Sequence, residues 1–169
     1  MKIIHSKRTF AVVAAVAALV ACSPKYDWRD FRSNDAPFSV LFPGKPGTHS
    51  REIDLDGQKV QMTMAAAEVE HTMFAVGSAE LSDAAKAAQA VQAMKTQMVR
   101  NIGAKVDKES TKDGAFLVDA SGVSNGMPMR LHARFLSRGK RAYQVVVIGP
   151  AKEIDAEVVD TFMSSFKLN

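Results

Sequence analysis

Four dipeptides restrict the fold of this chain more than any other feature: Asp56-Gly57, Asp113-Gly114, Asn125-Gly126 and Arg138-Gly139. Each separates two runs in which apolar and polar residues alternate. A glycine that accepts positive φ, next to a residue that tolerates it, is what a two-residue hairpin loop requires. Alternation in turn sends successive side chains to opposite faces of a strand. The pattern predicts strands at 58–69, 72–78, 115–123, 127–137 and 140–148. Two shorter strands, 28–32 and 38–42, flank a turn at Ser33–Pro37. Chains built this way fold as antiparallel sheet.

Two segments follow the helical period instead. The first starts at Ser82, a good N-cap, with Asp83 beside it. Ala84, Ala88, Val91, Met94, Met98 and Ile102 keep three-and-four spacing, and Gly103 ends the run. Met94 and Met98 read as adaptable core filling rather than metal or haem ligands. The second helix is expected near Lys152–Phe166, after Gly149-Pro150, with Ile154, Val158, Phe162 and Phe166 as its buried stripe. The expectation is one α+β domain: a single antiparallel β-sheet of about seven or eight strands packed with two amphipathic helices. The first helix should cover one sheet face; the side taken by the second is left open.

The first residues have a different logic. Lys2, Lys7 and Arg8 precede twelve residues, Phe10–Ala21, that are almost wholly apolar, and no acid occurs before Asp27. A basic head, an apolar middle and small residues make a secretory signal. A membrane-spanning helix needs about 20 apolar residues, and this run is shorter. Cys22, the one cysteine, ends it. A metal site needs several ligands and a disulfide needs a partner, and no second cysteine supplies either. An activated thiol needs an enclosed, positive niche. An acyl anchor needs only exposure.

Composition then limits the partners. Without residues 1–21, 19 of the 22 basic residues remain against 18 acids. The high pI therefore comes mostly from the leader, and a nearly neutral domain is a poor nucleic-acid binder. The remaining 148 residues suit a single domain. His49, His71 and His132 are scattered, with no two at helical ligand spacing, so neither a metal nor a cofactor is expected. Phe42-Pro43-Gly44-Lys45-Pro46-Gly47 lacks the spacing of a phosphate-binding loop and reads as a rigid strand exit.

Leu19-Val20-Ala21-Cys22 resembles the bacterial lipobox, in which the cysteine is diacylated and becomes the first mature residue. Ser23 in place of Asp resembles the pattern sent to the outer membrane. The resemblance implies a signal peptide at 1–21, a lipidated tether at 22–27 and a folded domain at 28–169. A second likeness lies in Trp28 with Phe38-Ser39-Val40-Leu41-Phe42-Pro43-Gly44-Lys45-Pro46. With Arg141-Ala142-Tyr143 and the closing Phe162-Met163-Ser164-Ser165-Phe166, it is similar to small bacterial proteins of the PsbP-like fold. That likeness implies a non-enzymatic binding or accessory role. In the segment Tyr26–Phe31, Trp28 and Phe31 are expected to pack into the domain and Tyr26 to be loose.

One sheet face gathers chemistry. If Asn125-Gly126 is a two-residue loop, Asp119 falls opposite His132 and Ser121 opposite Arg130, with Arg134 diagonal to Asp119. If Arg138-Gly139 is another, Arg134 faces Tyr143. Asp119, Arg130, His132, Arg134 and Tyr143 are thus the candidate ligand-binding set, with the arginines as bidentate donors to an anion. The plainer alternative is a solvated face laced with cross-strand ion pairs, each contributing under ~1 kcal/mol. Ser121, His132 and Asp119 invite a triad, but Ser121 faces Arg130 and no oxyanion glycine run surrounds it. The expected role is a periplasmic accessory lipoprotein without catalysis. It would be held on the membrane through Cys22 and bind an envelope protein. Carriage of a small anionic or amphipathic ligand is the alternative, and a hydrolase the last choice.

Overall fold

The computed structural model describes residues 24–169. The signal peptide assigned to 1–21 and Cys22 lie outside the described residues. Ten strands and two helices follow: β1 (Arg29–Arg32), β2 (Phe38–Phe42), β3 (Gly47–Leu55), β4 (Gln58–Val69), β5 (Thr72–Glu80), α1 (Ala84–Asn101), β6 (Lys105–Lys112), β7 (Ala115–Ser124), β8 (Met127–Arg138), β9 (Arg141–Pro150), α2 (Ala156–Ser165) and β10 (Lys167–Leu168). The architecture is α+β. The strands form two sheets rather than the single one expected: seven strands in the order β3-β4-β5-β9-β8-β7-β6, and three in the order β1-β2-β10. All pairings are antiparallel.

The turns explain the register. Asp56-Gly57, Asp113-Gly114 and Asn125-Gly126 hold both central residues at positive φ, the arrangement a type I′ hairpin needs. The last hairpin differs from expectation. Arg138 pairs with Arg141, so Gly139-Lys140 is the loop and not Arg138-Gly139. Gly139 alone takes positive φ (54°) there, which suits the first position of a type II′ turn. Moving the loop by one residue moves the register by two, so Arg134 pairs with Val145 and Tyr143 with Leu136. A fifth tight turn, Glu70-His71, carries no glycine although both residues lie at positive φ (45° and 63°).

Each face of the large sheet has its own core. On one face, Leu131, Ala133, Phe135 and Val146 pack against α1 through Ala87, Ala90, Val91 and Met94. The helix stripe is rotated from the expected one, because Ala84 and Ala88 are exposed. In an alanine-rich opening turn, small side chains give the periodicity little phase. Asp83 is the N-cap in place of Ser82: its Oδ1 accepts from Lys86 N at 2.8 Å, and Ser82 Oγ donates to Asp83 Oδ2. Met94 is buried and Met98 partly so, both within this core. Both sheet edges reach the helix. Gln97 Nε2 donates to the backbone oxygen of Asp54 in β3 (3.2 Å), and Lys95 pairs with Glu109 in β6. The sheet therefore curls around α1 as an open trough.

The convex face carries α2 and the small sheet. Phe74, Val76, Tyr143, Val145 and Val147 meet Phe38, Phe42, Phe162 and Phe166. The aromatic rings form a connected set: Phe38 lies edge-on to Tyr143, Phe42 against Phe162, and Phe74 edge-on to Phe162. Such pairs add about 0.5–1.5 kcal/mol each beyond area burial. Helix α2 is shorter than expected because Asp155 caps it, accepting from Glu157 N and Val158 N. The helix and small sheet cover only the middle of the convex face, leaving its β6–β8 side open beside α2.

Candidate functional site

The open side holds most of the expected set. Asp119 pairs with His132 and Ser121 with Arg130 across β7 and β8, as the Asn125-Gly126 loop requires. His132 Nδ1–H donates to Asp119 Oδ1 at 2.7 Å, and the pair is partly buried. This bond fixes the imidazole orientation and places the ring proton on Nδ1. Ser121 Oγ turns the other way, donating to Asp107 Oδ1 (3.0 Å) on β6. Ser121, His132 and Asp119 are therefore not assembled as a hydrolytic relay. The β-bulge between Val106 and Lys108 brings Asp107 within reach.

Two members of the set do other work. Tyr143 is fully buried within the aromatic core and is not on an accessible face. Burial raises its phenol above the ordinary value, with Arg141 and Arg138 acting in the opposite direction. The Arg134 guanidinium lies over the Phe166 ring, 5.8 Å from its centre, a cation–π placement. The notch between β8 and α2 is an open groove of about 510 Å³. Arg130 and His132 line one side; Ile154, Val159 and Met163 line the other. Arg134 belongs to a second, smaller groove of about 280 Å³ next to Leu117 and Lys112. Asp160 and Met163 stand between the two. The arginines therefore do not converge on one anion.

The α2 contribution was not legible beforehand, because nothing in the sequence chose the side on which α2 lies. Its second stripe, Ala156, Val159, Asp160 and Met163, runs at helical spacing beside the buried Val158 and Phe162.

Residues near the amino-terminal exit also depart from expectation. Tyr26 is half-buried against the core, while Trp28 is exposed at 36%. Asp27 N donates to Pro43 O (3.0 Å), and Lys25 Nζ pairs with Glu70 at 2.6 Å. Glu70 and the neighbouring Tyr26 hold the Lys25 ammonium above the ordinary lysine range. His71, beside Glu70, pairs with Glu153 ahead of α2 (3.3 Å). The glycine-free turn thus fastens both the chain entry and the segment that leads into the groove wall. Pro43 is fully buried, as a rigid strand exit should be.

His49 lies on β3, His71 in the 70–71 turn and His132 on β8. Among the described residues, no three His, Cys, Asp or Glu side chains gather as a metal site, and no helix is long and apolar enough to cross a membrane. Compared with protein-family models and with curated proteins, the chain matches none.

Proposed function

We propose that this chain is a lipid-anchored accessory module of the bacterial outer membrane, facing the periplasm and working by contact with another envelope protein rather than by catalysis. Residues 1–21 act as a signal peptide, Cys22 carries the acyl chains, and residues 28–169 form a PsbP-like domain. The observation that carries the reading is the lipobox-like Leu19-Val20-Ala21-Cys22 three residues ahead of Lys25, which is already fastened to Glu70. Each buried acyl methylene contributes about 0.8 kcal/mol, so two or three chains hold a small domain on a bilayer. Of the aromatic residues behind the PsbP-like resemblance, Phe38, Phe42, Tyr143, Phe162 and Phe166 sit in the core, while Trp28 is exposed. They support a structural role for those motifs and name no reaction. Fractionation of cells tests the anchor: native protein sediments with outer membranes, and Cys22→Ser leaves that fraction. Equal sedimentation of both would refute it. Crosslinking in intact envelopes should return a recurrent protein partner.

A second reading has one observation in its favour. The groove between β8 and α2 sets Arg130 and His132 against an apolar wall of Ile154, Val159 and Met163, which suits a small amphipathic anion. Arg130→Ala with Val159→Asp should abolish uptake of a fluorescent fatty acid. An unaltered titration of the double variant would remove this reading.

A further inference from the structure

Among the described residues, the large apolar side chains that remain exposed are collected at one end of the sheet. The large sheet has two ends, marked by its hairpin turns. Turns 70–71 and 125–126 lie at one; turns 56–57, 113–114 and 139–140 lie at the other. Among the described residues, the large hydrophobic side chains left exposed are Trp28, Met73, Val106, Val123 and Met127. Met73 follows turn 70–71 by two residues, and Val123 and Met127 flank turn 125–126. Val106, the second residue of β6, pairs with Ala120, and Trp28 follows Lys25, which pairs with Glu70 of turn 70–71, by three residues, its ring 6.3 Å from that of Tyr26. All five therefore share the end at which the chain enters the fold. Val123 is 65% exposed and Met127 44%, on a hairpin tip that runs past the last pair of β8 with β9.

Covalent reach decides what this end can meet. Cys22 lies three residues ahead of Lys25, a span of at most about 10 Å at full extension. A domain of this size has a radius of gyration of about 15 Å, so the linkage is too short to hold the body clear of its anchor. We propose that this apolar rim is a docking surface for a lipid bilayer, so that the domain stands on the membrane with turns 70–71 and 125–126 down and turn 139–140 up. The proposal rests on the acyl anchor at Cys22. Trp28 and Tyr26 are the residue types favoured at the headgroup level, while Val123, Met127, Met73 and Val106 supply apolar area. Four acids at this end, Glu68, Glu70, Asp107 and Glu153, stand against four bases, Lys25, Lys105, Arg130 and Lys152. Attraction is therefore apolar rather than electrostatic and should survive salt that screens surface charge. The β8–α2 groove opens beside the same end, since Ala151 and Ile154 of its lining flank the Glu153 held by His71.

The test uses the mature acylated protein in vesicles of phosphatidylethanolamine and phosphatidylglycerol, with or without brominated acyl chains. Trp28 is the sole tryptophan and serves as a native probe. Met127→Cys and Lys140→Cys place an environment-sensitive dye at the two ends, since an acylated Cys22 does not react. Brominated lipid should quench Trp28 and the dye at 127 about twofold, leaving the dye at 140 unchanged. Equal quenching at 127 and 140, or none at 127 while mass spectrometry finds Cys22 acylated, overturns the docking geometry and leaves the anchor standing. A free Cys22 thiol overturns the anchor; quenching of Trp28 by brominated lipid in that material would retain the rim, and its absence would remove both.

Discussion

Tyr143 and His132 were expected on one accessible strand face, and they have opposite fates. His132 lies where α2 stops covering the sheet and remains partly exposed beside Arg130. Tyr143, opposite Leu136, is closed over by Phe38 and Phe166. Sequence alternation gave the face of each residue but not what lies above it. Because burial raises the Tyr143 phenol, its neutral form is favoured in the fold. That contribution is complete below the unfolded value of about 10 and fades as pH rises through the higher folded value. Tyr143→Phe should therefore unfold less steeply between about pH 9 and 11 than the parent, followed by circular dichroism. Backbone proximity makes a second prediction at this scale. A Cβ on Gly149 would sit 2.5 Å from Thr72 Oγ1 and 2.9 Å from its Cα, whereas Gly47 has nothing within 4 Å. Gly149→Ala should lose about 1–3 kcal/mol in urea titration, and Gly47→Ala should lose almost nothing.

At the scale of elements, the strands that alternate were legible and the edge strands were not. Lys105–Lys112 of β6 is exposed along its whole length, and Gly47–Leu55 of β3 nearly so. Charged edges discourage pairing with other chains, but they erase the apolar period by which a strand is read. The Asp119–His132 pairing was legible because Asn125-Gly126 left one register open, and the last hairpin was misplaced because Gly139 can stand first or second in a loop. The groove depends on α2, whose side no local signal chose. Helix ends carry a pH prediction. The Lys86 backbone N–H, with help from the Ser82 hydroxyl, holds the Asp83 carboxyl below its ordinary 3.8. A lowered folded value means that the capping contribution is present above the ordinary value and is lost as pH falls through the folded one. Asp83→Asn keeps a capping oxygen without the titration. The stability gap between the two proteins should be constant above about pH 5 and narrow below about pH 4 in thermal melts.

For the whole molecule, the curled sheet separates two cores and leaves one end apolar where the chain enters. The Lys25–Glu70 pair joins that entry to a turn whose other residue, His71, holds the segment before α2. Because both partners are exposed, Lys25→Ala should leave the melting temperature unchanged. It should nevertheless broaden the orientation of the anchored domain, seen as a smaller difference in dye quenching between positions 127 and 140. Anchoring of the domain at a membrane requires acyl chains at residue 22. Intact-mass spectrometry of protein taken from native envelopes tests it most directly. The expected mass is that of residues 22–169 plus a diacylglyceryl group and an amide-linked acyl chain, and a mass that retains residues 1–21 with an unmodified thiol would contradict it.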